Sequence, residues 1–163
     1  MKNYLRFFLI ILIILNCIVI FNFSGEQSEE SNKTSGRVID TIIEINPKTK
    51  HLNRKQKDSI KSKIMKPIRK TAHFTIYMSL GILLYLCAKT YETENKKEVL
   101  ISLMLAFLYA CTDEIHQHFV PGRSGEFRDV CIDTCGALCG IVFVYFLCEC
   151  ANKIKNRKII IGK

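Results

Sequence analysis

The amino-acid sequence predicts an all-α, polytopic membrane protein with four transmembrane helices and an amphipathic loop helix lying on the membrane surface. Four apolar runs, at residues 5–23, 72–91, 99–119 and 130–150, each approach the ~20 residues that cross about 30 Å of hydrocarbon. These runs leave too few of the 163 residues for a separate soluble catalytic domain. The last three runs also carry polar residues at their ends, which is where we look for function.

The first run consists almost entirely of Ile, Leu, Phe and Val, and it follows the basic residues Lys2 and Arg6. A secretory signal peptide would end in a small-x-small cleavage site, which the residues at 22–25 fit poorly. We therefore expect an uncleaved first transmembrane helix.

Residues 24–71 are predicted to form an extracytoplasmic loop, and its first part contains a stripe of serines. Ser24, Ser28, Ser31 and Ser35 recur at spacings of four, three and four, so a helix would present them on one face. That face continues through Val38, Ile42 and Ile45 before Pro47 ends the helix. Because the serines run on into an apolar stripe, we expect them to contact protein. A polar linker rich in Ser and Glu is the alternative.

The second part of the loop, residues 53–70, is strongly basic. Ile60, Ile64 and Ile68 recur every four residues, which gives a helix one apolar face. The pattern predicts a basic amphipathic helix on the membrane surface, with a break near Pro67 before the second crossing.

The chain is accordingly divided into a first transmembrane helix (1–23), the loop (24–71), a core of three transmembrane helices (72–150) and a basic cytoplasmic tail (151–163). Basic residues near both termini predict that the termini of this multi-pass cell-membrane protein are cytoplasmic. The Lys and Arg counts favour the opposite orientation, with fourteen on the loop side and ten on the other. In both orientations the second, third and fourth crossings bring their polar ends to one membrane face.

Composition narrows the choice of partners. The net charge of +9 suits anionic lipid headgroups, and nucleic acid is not expected because no soluble basic fold accompanies the charge. The eight cysteines do not predict a disulfide framework, since most lie inside apolar runs. Cys131, Cys135 and Cys139 share a helix face, where we expect them to pack against another helix.

The shared membrane face gathers ionisable and polar side chains from three crossings and the hinge between the last two. They are Arg69, Lys70, His73, Asp113, Glu114, His116, Gln117, Arg123, Arg128, Asp129 and Asp133. A charge at the centre of a membrane helix costs about 2.5–3.5 kcal/mol, so this concentration predicts a polar functional site. We expect Glu114 and His118 to be structural, and Tyr77, Tyr85, Tyr91 and Tyr109 to be packing or interface aromatics.

Three functions are compatible with this face. The pair Asp113 and His116, beside carboxylates of another helix, is typical of metal-binding bundles and suits Mg, Mn or Zn. Paired Asp and His groups could instead perform acid–base chemistry while Arg69 and Arg123 hold a phosphate or carboxylate. The same groups could bind an anionic headgroup without chemistry, and a salt-bridge network that only joins helices is the structural alternative. No cofactor is identified by the sequence.

Two motifs resemble those of the VanZ-like family. The first runs from Arg69 through Lys70, Ala72, His73 and Tyr77 to Leu80 and Gly81. The second comprises Tyr109, Asp113, Glu114, His116, Gln117, Phe119, Pro121, Gly122, Arg123, Asp129, Asp133, Gly136 and Gly140. Ser24, Ser28 and Ser31 resemble the serine pattern after the family's first helix.

The resemblance implies a small polytopic envelope protein, and the family's namesake is linked to low-level teicoplanin resistance. We therefore expect the chain to bind, and in one interpretation also to modify, an anionic lipid-linked or headgroup substrate such as a cell-wall precursor. The expected catalytic residues are Asp113, His116, Asp129 and Asp133. The expected binding residues are Arg69, Lys70, His73, Gln117, Arg123, Ser24 and Ser28. The alternative is a non-catalytic protein that shields precursors or partners another envelope protein.

Overall fold

The computed structural model describes residues 2–26, 28–47, 49, 51–121 and 125–161, with residues 28–32, 34 and 155–161 described by their backbone alone. These residues form five α-helices. They are α1 (Lys2–Gly25), α2 (Ser28–Ile45), α3 (Arg54–Lys89), α4 (Asn95–His118) and α5 (Phe127–Ile161). Helices α1, α3, α4 and α5 are long and apolar enough to cross a membrane. The predicted all-α fold with four crossings is confirmed.

The outer faces of the spanning helices are apolar. In α1 the side chains of Phe7, Phe8 and Ile14 are exposed, and in α5 those of Phe143 and Phe146 are exposed. In water such a surface would be costly, whereas hydrocarbon accepts it and requires only that backbone groups be bonded within the helix.

The serine stripe does not form one continuous face. Helix α1 ends at Gly25 and α2 begins at Ser28, so Ser24 belongs to the first transmembrane helix. The prediction of which face of α2 is buried is also wrong. Ile39 and Ile43 are buried, whereas Val38, Ile42 and Ile45 are exposed. Each buried residue follows an exposed one by one position, a rotation of about 100° on a helix.

Helix α3 joins the basic segment to the second crossing without the break that we predict near Pro67. The helix begins with a capping box, in which Asn53 Oδ1 accepts from the Gln56 backbone N–H and the Gln56 side chain accepts from Asn53. Proline costs α3 one backbone hydrogen bond, but contacts with α2 hold the segment, including an ion pair of 2.6 Å between Lys61 and Asp40. The expected loop–core boundary at 71/72 therefore lies inside one helix.

Glycines allow α3 and α5 to cross closely. A Cβ added to Gly136 or Gly140 would collide with the carbonyl oxygen of Phe74 or Met78, and one added to Gly81 would collide with the backbone of Ala137. Small residues spaced four apart are the usual means by which membrane helices approach. The glycines therefore perform the packing role that we expect of the neighbouring cysteines.

The prediction that Cys131, Cys135 and Cys139 pack against another helix of the chain is wrong, because all three are exposed. Each lies one residue before a more buried position of α5, so the thiols face outward while the glycine face meets α3.

A second polar cluster closes the opposite end of the bundle. The Arg6 guanidinium donates to the Thr90 side chain and carbonyl at 3.1 and 3.0 Å and lies 3.8 Å from the centre of the Tyr91 ring. Lys89 pairs at 3.7 Å with Glu98, which is only 2% exposed. These contacts join α1, α3 and α4 at this end of the bundle.

Candidate functional site

The candidate site lies where four helices place polar residues at the same level of the bundle. Helices α1 and α4 end there, α5 begins there, and α3 passes through after its basic segment. The apolar cluster beneath it includes Ile20, Tyr77, Leu80, Ala110 and Val130, which are all buried. Antiparallel neighbours joined by a short hinge bring the end of α4 to the start of α5, so Asp113 and Asp133 enter one site although they are far apart in sequence.

Asp113 is held on one of its two carboxylate oxygens. The Ser24 hydroxyl donates to Asp113 Oδ2 at 2.8 Å, and the Gln117 amide donates to the same oxygen at 3.2 Å. Asp113 is 4% exposed, and its Oδ1 accepts no hydrogen bond from the described residues. The side chain is therefore oriented by two donors while one oxygen remains available.

Asp133 lies opposite, on α5, and is only 1% exposed. His73 Nδ1 lies 4.0 Å from Asp133 Oδ2, which accepts no hydrogen bond from the described residues. Three potential ligand atoms lie within 4.8 Å of one another, one each from His73, Asp113 and Asp133. Helices α3, α4 and α5 thus each contribute one potential metal ligand to a single point.

An open polar cavity of about 650 Å³ reaches this point. Its charged and polar lining residues are Lys66, Arg69, Lys70, His73, Glu114, Gln117, Glu126, Arg128, Asp129 and Asp133. Lys70 is neutralised by Asp129 and lies 3.9 Å from Glu126 Oε2. Arg69, in contrast, forms no ion pair with the described residues. Within the described part of the chain, the cavity therefore has a guanidinium whose charge no carboxylate neutralises.

A mainly apolar groove adjoins the cavity where α2 and α3 meet the end of α1, with Phe23 and Glu26 also in its lining. Its volume is about 240 Å³, and its lining includes Val38, Ile68, Ala72 and Ile76 as well as Arg69 and His73. The last two residues also line the polar cavity. Arg69 and His73 of α3 therefore form a shared wall, with the charged cavity on one side and the apolar groove on the other.

Some predicted site residues lie elsewhere. His116 turns toward α1, where its ring stacks on Phe21 with centroids 4.3 Å apart, and its buried Nε2 has no hydrogen-bond partner among the described residues. Asp129 lies at the cavity wall, paired with Lys70. Arg123 and the Ser28 side chain lie outside the described residues. The structure brings five of the predicted residues together in the site: Asp113, Asp133, His73, Gln117 and Ser24.

Two further residues belong to the site, although we expect Glu114 to be structural and Tyr77 to be a packing or interface aromatic. Glu114 is buried and lines the cavity, with its Oε2 accepting from the Glu126 backbone N–H at 2.9 Å and its Oε1 accepting from Gln117 at 3.0 Å. It therefore ties α4 to Glu126, the residue before α5. Tyr77 is fully buried beside Asp113, with its hydroxyl in the field of both aspartates. Its position one helical turn after His73 is the signal that could have identified it.

Comparison with known proteins gives a family. A family model described as VanZ/LLP1 matches residues 8–148. This range covers most of each of the four spanning helices and every residue of the candidate site. No curated protein and no solved structure matches the chain.

Proposed function

The chain belongs to the VanZ/LLP1 family, and from that premise we propose that it binds an anionic lipid at the outer face of the cell membrane. The headgroup would occupy the polar cavity and a hydrocarbon chain would occupy the apolar groove. The observation that carries this proposal is the shared wall, because Arg69 and His73 line both compartments.

The cations that line the polar cavity support an anionic headgroup as its ligand. Arg69 forms no ion pair with the described residues, and Lys66 and Arg128 line the same cavity. A guanidinium binds phosphate or carboxylate through paired, charge-assisted hydrogen bonds, each stronger than a neutral one. Asp129 and Glu126 neutralise Lys70 and so keep its ammonium at the cavity wall, where it would be a second, weaker contact for an anion.

Shape and polarity support the lipid part. Free phosphate would need only the polar cavity. The adjoining groove, in contrast, has the apolar residues Val38, Ile68, Ala72 and Ile76 in its lining, which suit a hydrocarbon chain. Burying apolar chain against such residues contributes about 0.8 kcal/mol per CH₂. A ligand with both an anionic group and a hydrocarbon chain would therefore bind more tightly than either part alone.

The family's link to teicoplanin, a glycopeptide that binds cell-wall precursors outside the membrane, supports the assignment of lipid-linked precursors as one source of this ligand. An imidazole and a carboxylate 4.0 Å apart, His73 and Asp133, line the same cavity and are the kind of pair that acid–base catalysis uses. Modification of the bound lipid is therefore an outcome that the binding experiment should also report.

The test uses the purified full chain in nanodiscs containing phosphatidylglycerol and phosphatidylcholine, followed by native mass spectrometry of retained lipid. We expect preferential retention of phosphatidylglycerol, a loss of about tenfold in Arg69→Ala, and no loss in Lys63→Ala, an exposed cation of the same helix outside the cavity. Equal retention by the two variants would contradict the proposal. Competition by inorganic phosphate alone would identify an anion site without lipid selectivity, and a change in lipid mass would indicate modification.

A further inference from the structure

We propose that His73, Asp113 and Asp133 bind a divalent first-row transition cation at the inner end of the polar cavity. The inference does not require lipid binding, although His73 and Asp133 also line the polar cavity, because it rests on the grouping of three potential ligand atoms. One ligand atom from each side chain lies within 4.8 Å of the other two. Around Zn²⁺ at about 2.1 Å, tetrahedral ligands are about 3.4 Å apart, a separation that small side-chain rotations would reach.

Burial and charge favour a cation here. Asp113 and Asp133 are 4% and 1% exposed, and each has one carboxylate oxygen that accepts no hydrogen bond from the described residues. Burying a carboxylate without a partner is costly, and two of them close together add repulsion. The nearby cation Lys70 is already paired with Asp129. A divalent ion would compensate both buried aspartates at once.

The environment of Asp113 is what a ligating carboxylate requires. Ser24 and Gln117 both donate to Oδ2, which fixes the orientation of the group and leaves Oδ1 without a partner among the described residues. Metal-binding carboxylates are commonly held in this way by outer hydrogen bonds, whose removal costs about 10–100-fold in metal affinity. Both donors lie in helices, Ser24 in α1 and Gln117 in α4, so the orientation of Asp113 does not depend on a loop.

The ligand set indicates the class of ion and its state of coordination. One imidazole and two carboxylates suit Zn²⁺ or Mn²⁺ better than Ca²⁺, which prefers six to eight oxygens. Three protein ligands leave at least one position for water or an oxygen of a bound ligand. His73 and Asp133 line the cavity, so that position would be reachable from the headgroup compartment.

The experiment measures Mn²⁺ binding to the purified, chelator-treated full chain by electron paramagnetic resonance of the free ion. Mn²⁺ is chosen because the eight free cysteines would compete for the softer Zn²⁺. We expect one Mn²⁺ per chain, at least about tenfold weaker binding in Asp133→Asn and His73→Gln, and intermediate weakening in Ser24→Ala. Asp40→Asn, an exposed carboxylate paired with Lys61, is the matched control and should bind as the wild type does.

Thermal unfolding supplies a second readout that does not depend on one variant. Mn²⁺ should raise the Tm of the wild type and of Asp40→Asn but not that of His73→Gln, whose substitution at a partly exposed position keeps a polar side chain. Absence of stoichiometric Mn²⁺ binding by the wild type would overturn the proposal. Equal affinity in wild type and His73→Gln would also overturn it, since the ion would then bind elsewhere.

Discussion

Ser24 donates a 2.8 Å hydrogen bond to Asp113 across 89 residues of sequence. Both side chains are buried, with the hydroxyl at the end of α1 and the carboxylate near the end of α4. This contact ties the first helix to the candidate site. Ser24, which the sequence places at the start of the loop, is therefore a buried part of the site.

Replacing Ser24 by alanine should lower the free energy of unfolding by about 0.5–2 kcal/mol, the usual range for a hydrogen bond between membrane helices. The loss arises because Asp113 Oδ2 would keep only the longer bond from Gln117. Unfolding in increasing dodecyl sulfate measures the change. Thr112→Ala is the control, because among the described residues that exposed hydroxyl bonds to the Tyr109 carbonyl, within α4 itself. Equal stability of the two variants would show that the Ser24 contact is not stabilising.

Replacing Gly140 by alanine should destabilise the bundle by about 1–3 kcal/mol, because the added Cβ would meet the Met78 carbonyl in α3. Gly36→Ala is a matched control, since it is also a glycine inside a helix and gains the same helix propensity. Its Cβ would meet only the flexible end of Lys61. Thermal unfolding in detergent should separate the two variants, and a Gly140→Ala protein as stable as Gly36→Ala would argue against the close α3–α5 crossing.

The four crossings could be predicted because apolar runs of membrane length are a direct consequence of the thickness of the hydrocarbon layer. The shared polar face followed from topology alone. Consecutive crossings run in opposite directions, so the end of α4 and the start of α5 have to meet. The sequence therefore predicts that Asp113 and Asp133 lie in one site.

The partners within the site could not be predicted, because they depend on helix rotation and tilt. His116 shares a helix face with Asp113 in sequence, yet it stacks on Phe21 while His73 from another helix takes the place beside the aspartates. The dependence on helix rotation also explains the wrong prediction for α2, where a rotation by one residue exchanges the buried and exposed stripes. The uninterrupted α3 at Pro67 depends on contacts with α2 that no local pattern encodes.

The polar site should face the outside of the cell, as the basic termini predict. In a variant whose eight cysteines are replaced, a single cysteine at His51 should react with a membrane-impermeant maleimide in intact cells. A single cysteine at Lys153 should react only after the membrane is permeabilised. Both positions are exposed, so the difference reports sidedness and not burial. The reverse labelling pattern would place the site in the cytoplasm.

Expression of the chain in a teicoplanin-sensitive Gram-positive host should lower susceptibility, and Arg69→Ala and Asp133→Asn should not do so at matched membrane levels. The reason is that Arg69 supplies a cavity cation that no described carboxylate pairs with, and Asp133 supplies a buried carboxylate of the same cavity. Lys63→Ala should protect like the wild type. Protection by all variants would show that resistance does not use the cavity, and absence of protection by the wild type would exclude resistance as this chain's role.

The most direct test of the central claim is to map where an anionic lipid lies. A phosphatidylglycerol analogue with a photoreactive group on one acyl chain would be cross-linked to the full chain in nanodiscs and the adducts located by mass spectrometry. The shared wall predicts adducts at the apolar groove, near Ile68 and Ile76, that disappear in Arg69→Ala and in Ala72→Phe, which fills the groove. Adducts spread over the exposed face of α1, unchanged in both variants, would contradict the account.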